Sequence, residues 1–273
     1  MNLELYKSIY KNTLQKEFRN KTLIFFFLFT VAVILLVSFL LSALKDSIGA
    51  DMKVEVFGET QLLPIFFIVI SSWNVMLGIF FGINCVKSDI NLGVIQQILS
   101  FPIDRKAYLL IRVLGSWTIV MLYYTISMAL AFVLFSTSLG EVAQVGSILA
   151  AMLFSFLQVL PAIVIGIIFS LYFERIGAFL LSFFTFAFIN ASNSYISFKG
   201  LDEILSDLSF IKICALVYYY AFPRMSNIGN YANASIMGTG GAWDKLPYEL
   251  LHYSLSLSFL FIVMSMMFKK KSF

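Results

Sequence analysis

A chain of 273 residues that is 60% hydrophobic, only 12% charged and carries 30 Phe exceeds the apolar share of soluble domains, about half. That excludes an ordinary soluble domain and predicts an integral membrane protein. The net charge of +4 is scattered along the rims of the apolar runs, with no basic and aromatic groove for nucleic acid.

From the N-terminus, residues 2–20 place Leu3, Tyr6, Tyr10 and Leu14 at spacings of three and four, with Lys7, Lys11, Lys16 and Arg19 between them. This pattern predicts a basic amphipathic helix lying on a membrane surface; a solvated tail is the alternative. No short apolar core with a small-residue cleavage site follows, so no signal peptide is expected. A first span is predicted at about 22–44, long enough for about 30 Å of hydrocarbon. An acid-rich loop follows (Asp46, Asp51, Glu55, Glu59), then a second span at about 62–86. Within it, Gly78 and Gly82 form a small-xxx-small pair that permits close helix approach. Asn74 lies mid-span and needs a hydrogen-bond partner or a wet cavity.

Polar loop 87–111 separates that span from a third at about 112–135. The next apolar stretch, about 147–173, contains Pro161, so a tilt or kink is expected there. Glu174 and Arg175 make a tight turn into a fifth span, about 176–198, whose last turns carry Asn190, Ser192, Asn193 and Ser194. Region 199–249 holds an apolar patch, Ile211 to Phe222, stopped by Pro223. As a seventh crossing it would put Lys269, Lys270 and Lys271 outside, against the positive-inside rule. It is therefore expected to dip into or lie on the outer face, with a last span at about 250–268. With both ends inside, thirteen of the nineteen Lys and Arg fall in inner segments. Cys85 and Cys214 then sit near opposite faces, and no disulfide framework is expected.

Within the polar loop, Ile95, Ile98 and Leu99 recur at helical spacing while Gln96 and Gln97 face elsewhere, and Pro102 marks a corner. An ordinary loop between membrane helices would also carry such residues. The run Asp89, Gly93, Val94, Ile95, Gln96, Ile98, Leu99, Ser100, Pro102, Ile103, Arg105 and Arg112 resembles the first intracellular loop of the exporter-type, type-two ATP-binding-cassette permeases. Val94 replaces the family's usual Thr, and Gln96 its usual Glu.

The resemblance implies an all-α integral membrane fold over the single domain 1–273. It comprises six spans, an N-terminal elbow helix, a coupling helix between spans two and three, and an outer re-entrant or amphipathic region before span six. It implies that Asp89, Gly93, Gln96, Gln97, Pro102 and Arg105 serve ATPase coupling. Spans two and five would line a pathway at a dimer interface, with Asn74, Thr185, Asn190 and Asn193 as candidate lining residues; helix–helix hydrogen bonding is the other reading of these four. The implied partners are an ABC ATPase subunit, which would bind ATP and Mg, and a second identical or related permease. The implied location is the cytoplasmic membrane of a prokaryote, with both termini cytoplasmic.

The chain has no Gly-x-x-x-x-Gly-Lys-Ser/Thr, so it is not expected to cradle nucleotide or to act as an enzyme itself. His252, the one histidine, lacks the converging ligands of a metal site. No acid lies mid-span, which weakens proton- or sodium-coupled carriage. A carrier without ATP, or a membrane scaffold or immunity protein, remains the alternative.

Overall fold

The structure, a computed structural model, describes residues 3–19, 21–47, 62–101, 103–139, 145–200, 204, 209–238 and 243–271. The described residues are helical, with no strand: α1 Leu3–Arg19, α2 Lys21–Ser47, α3 Leu62–Asn91, α4 Val94–Ser100, α5 Arg105–Leu139, α6 Val145–Ser170, α7 Arg175–Lys199, α8 Phe210–Ala221, α9 Met225–Met237 and, after a 3-10 turn at Trp243–Lys245, α10 Leu246–Lys270. Five segments are long and apolar enough to cross a membrane: Phe67–Asn91, Arg105–Val133, Val145–Ser170, Arg175–Lys199 and Trp243–Lys270. Helices α1 and α2, bent by 58° at their junction, make a sixth if taken as one span. The chain thus has an all-α, multi-pass membrane architecture.

The centre of the bundle is α6. Every residue from Pro161 to Ile167 is buried, as expected of a helix that is apolar all round. Its broadest contact is with α3, and it also meets α5, α7, α9 and α10. The α3–α6 crossing is close because three glycines meet there. A Cβ on Gly82 would lie 2.4 Å from the Ile163 carbonyl oxygen, and one on Gly166 would lie 2.8 Å from the Ile79 carbonyl oxygen. The Gly78 and Gly82 pair is therefore used within the chain, against α6.

Pro161 sits inside α6 without ending it. Its ring nitrogen cannot donate to the carbonyl four residues earlier, that of Leu157. The Tyr253 hydroxyl on α10 donates to that oxygen at 2.7 Å, so the helix passes through the proline with its freed carbonyl satisfied.

Two helices extend beyond the spans expected from hydropathy. α3 continues to Asn91 and α5 begins at Arg105, because the charged residues at these ends pair with one another, as described below. Region 199–249 contains no seventh crossing among its described residues. With 12 residues, α8 is about 18 Å long, too short for about 30 Å of hydrocarbon. It packs on α7, while α9 packs on α6 and also reaches α3 and α7. Met225 and Ala232 of α9 are wholly buried, so α9 is inserted among the spans and does not lie on their outer surface. Pro102 lies outside the described residues, as do parts of the loops expected at 45–61 and 136–146.

Candidate functional site

At one end of the bundle α3, α4 and α5 form a corner roofed by α1. Helix α3 stops at Gly93, whose φ of 69° lies in the left-handed region; a residue with a Cβ is disfavoured there by about 1–2 kcal/mol. The chain then re-enters helix as α4. Ile95 is buried, whereas Gln96 and Gln97 are exposed, so the short helix is anchored through its apolar side and offers its amides outward. The Ser100 hydroxyl donates to the Gln97 carbonyl at 2.7 Å, and the Phe101 N–H donates to the Ile98 carbonyl; both close the helix end. Arg105, exposed at the start of α5, donates to the Lys269 carbonyl at 3.3 Å, which ties the C-terminal end of α10 to the corner.

Asp89 is not at the surface of this corner; it is 3% exposed. Its carboxylate receives the Tyr108 hydroxyl at 2.6 Å and the Lys16 ammonium at 2.9 Å, and it pairs with the Arg112 guanidinium. Arg112 in turn donates to the Thr13 hydroxyl at 2.7 Å, which itself donates to the Ile9 carbonyl at 2.9 Å. Thr13 presses directly on Gly115 of α5: a Cβ there would lie 2.7 Å from its methyl. One carboxylate on α3 therefore holds two cations and a hydroxyl from α1 and α5, and Tyr108 stacks on Phe268 of α10 with ring centroids 5.8 Å apart. Glu17, also buried, is held above its usual pKa, first by burial and then by the Asp89 charge; Lys16 and Arg112 pull the other way.

A second tie lies beside the first. Lys87 reaches Glu174 in the α6–α7 turn at 3.2 Å, and Lys271 donates to the Leu171 carbonyl. The Lys271 ammonium is held below its usual pKa by burial and by the neighbouring Lys87 charge, partly offset by Glu174.

The four residues expected along the pathway divide into two pairs. Asn74 and Asn193 are completely buried, and neither end of either amide has a hydrogen-bond partner. Asn74 is in helical register with Gly78 and Gly82, the side of α3 turned to α6, and Asn193 is in register with buried Ser182, Ile189 and Ile196. An unmatched buried amide costs about 1–3 kcal/mol, so these two amides are unused polar groups inside the bundle. Thr185 and Asn190 are only half-buried; Thr185 donates to the Leu181 carbonyl of its own helix at 2.8 Å.

At the opposite end lies a cluster that the sequence pattern had not brought out. Arg224, at the α8–α9 corner, is 3% exposed and stacks 3.9 Å from the centre of the Tyr219 ring. Its guanidinium pairs with Glu249 of α10 at 3.3 Å, and the Asn227 amide donates to the same carboxylate oxygen at 3.1 Å. The Gln158 amide of α6 donates to the Met225 carbonyl at 2.7 Å, holding the start of α9 in place. A lone Arg next to Pro223 in an otherwise apolar stretch was the available signal, since a cation there requires an anion.

No protein-family model matches the chain, and no curated protein matches it. Among the described residues no group of three or more His, Cys, Asp or Glu is placed to hold a metal ion.

Proposed function

We propose that this chain is the transmembrane subunit of an ATP-driven, exporter-type ABC transporter, working as a dimer with separate ATPase subunits. The observation that carries the reading is the corner at Gly93. There a seven-residue helix with exposed Gln96 and Gln97 is rooted by a buried ion network that reaches α1, α3 and α5.

In this reading α4 is the coupling helix and seats Gln96 and Gln97 in a groove of the ATPase, while α1 is the elbow helix on the inner face of a prokaryotic cytoplasmic membrane. ATP and Mg bind to the partner and power the closure that pushes on α4. Asp89 is a positioning residue rather than a contact: it passes that push to α5 through Arg112 and to α1 through Lys16. Asn74 and Asn193 are the polar groups that an opened pathway exposes to cargo, and Thr185 and Asn190 lie nearer the second protomer on α7.

The test is affinity purification of the tagged chain from its native membranes in mild detergent. A stoichiometric P-loop ATPase is expected to copurify, and exchange of both exposed amides, Gln96→Arg with Gln97→Glu, is expected to release it while the chain still folds. A chain that purifies alone, with no ATPase retained under any mild condition, overturns the reading in favour of a scaffold or an ATP-independent carrier.

A further inference from the structure

Helix α2 packs most broadly against α5 and α1; towards α3 it is bridged by rings, and Ile34 joins Phe67 and Ile70 in a small apolar cluster. Phe26 meets Trp73 and Phe80 with centroids 5.9 and 5.2 Å apart, and Phe29 meets Trp73 at 5.0 Å. Two cavities flank these bridges. One of about 310 Å³ lies between α2, α3 and α7; the other, of about 290 Å³, lies between α2 and α3 and shares Trp73 and Met76 with the first.

The first cavity is almost wholly apolar. Trp73, Met76, Phe80 and Asn84 form one face of α3 at spacings of three and four, and Phe179 and Leu180 of α7 form the facing wall. The only polar lining residues are Asn84 and Arg175, and Arg175 stands in the first turn of α7, at the end of the bundle that holds Lys87 and Lys271. From Trp73 to Asn84 the helix rises about 16 Å, close to half of the roughly 30 Å hydrocarbon core. The slot is thus about as deep as one leaflet.

Charge completes the match. Glu174, next to Arg175, is engaged by Lys87 at 3.2 Å, and Arg175 is exposed and makes no ion pair with another described residue. An uncompensated guanidinium, with its planar fork of donors, stands at headgroup depth over an apolar slot.

We propose that this slot holds one acyl chain of an anionic glycerophospholipid from the leaflet on Arg175's side, with the lipid phosphate on the Arg175 guanidinium. The site lies between α2, α3 and α7 on residues other than Asn74 and Asn193, and the observations behind it do not depend on the transporter reading. A bound lipid fills the space between α2 and the bundle and sets how far α2 stands from α3.

Trp73 is the reporter. In the variant Trp117→Phe with Trp243→Phe it is the last of the three tryptophans, and the protein is placed in phosphatidylcholine vesicles containing increasing fractions of either brominated phosphatidylglycerol or brominated phosphatidylcholine. Half-maximal quenching is expected at about a fivefold lower fraction of the anionic lipid, the effect of one basic side chain at a membrane surface. In Arg175→Gln, an exposed change that leaves the fold intact, the two lipids are expected to quench alike. Equal quenching of the parent by both lipids overturns the proposal, as does a preference that survives in Arg175→Gln. Absence of quenching by either lipid also overturns it, because it means that the slot is covered by a second copy of the chain or by α2 itself.

Discussion

The proline in α6 shows how one residue's missing donor is answered by another helix. In most helices the carbonyl four residues before a proline is left to water, which a bilayer does not supply. Here the Tyr253 hydroxyl takes that place on the Leu157 oxygen at 2.7 Å, and Trp117 donates to the neighbouring Phe156 carbonyl at 2.9 Å. Tyr253→Phe should therefore strand a buried acceptor and destabilise the protein by about 1–3 kcal/mol. The cause can be isolated, because Pro161→Ala restores the N–H that Leu157 lacks. In that background Tyr253→Phe should cost little, so that the double-mutant cycle gives a coupling energy of at least about 1 kcal/mol. Denaturant or thermal unfolding of the four proteins in the same detergent measures it; equal losses in both backgrounds would show that the tyrosine acts by packing alone.

At the scale of elements, hydropathy located five of the six expected spans, because an uninterrupted apolar run of about 20 residues has few other uses. It did not locate their ends. The helices α3 and α5 run on past the last apolar residues because Asp89 and Arg112, which look like rim charges in the sequence, are buried against each other. That pairing is illegible locally: Lys16, Asp89 and Arg112 come from three separate helices, and only the fold brings them together. Gln96 and Gln97, in contrast, were legible as an exposed pair from period alone, since Ile95 and Ile98 had to face the protein. Region 199–249 was readable as something other than a span from its length and from Pro223, with dipping in and lying on the face left open; the tie of Arg224 to Glu249 was not readable, because nothing in the local sequence connects the two. The Gly78 and Gly82 pair was readable as a contact without its partner, which proves to be α6. Its importance is testable by contrast with an open glycine. A Cβ on Gly82 would meet Ile163 backbone atoms that have no room to yield, whereas around Gly146, also in α6, nothing lies within 4 Å. Gly82→Ala should cost about 1–3 kcal/mol through overpacking, and Gly146→Ala should be neutral or stabilising by up to about 1 kcal/mol. Comparable melting temperatures for the two variants would mean that the crossing is looser than the backbone contact implies.

For the whole molecule, the two ends are fastened by the same device: a buried carboxylate paired with cationic side chains from other parts of the chain. Glu249 holds the inserted α8–α9 hairpin to α10 through Arg224, and Asp89 holds α1 to the bundle through Lys16 and Arg112. Such pairs add little net stability when complete, but removing one partner leaves an uncompensated buried charge, at a cost of about 3–5 kcal/mol. Asp89→Ala should therefore lower the melting temperature sharply and also loosen α1, because Lys16 loses the anion that anchors it and the Arg112 guanidinium that donates to Thr13 loses the carboxylate that holds it in place. Loosening can be read separately from global stability: trypsin should cut at Lys16 or Arg19 faster in Asp89→Ala than in the parent at a temperature where both are folded. Adding Arg112→Met to Asp89→Ala removes the stranded cation and should recover part of the melting temperature, while α1, still without its tether, should remain easily cut. Slow cleavage in the single variant would show that the apolar contacts of Ile9 and the seat of Thr13 on Gly115 hold α1 by themselves. In that case the Asp89 network would serve the α3–α5 corner alone.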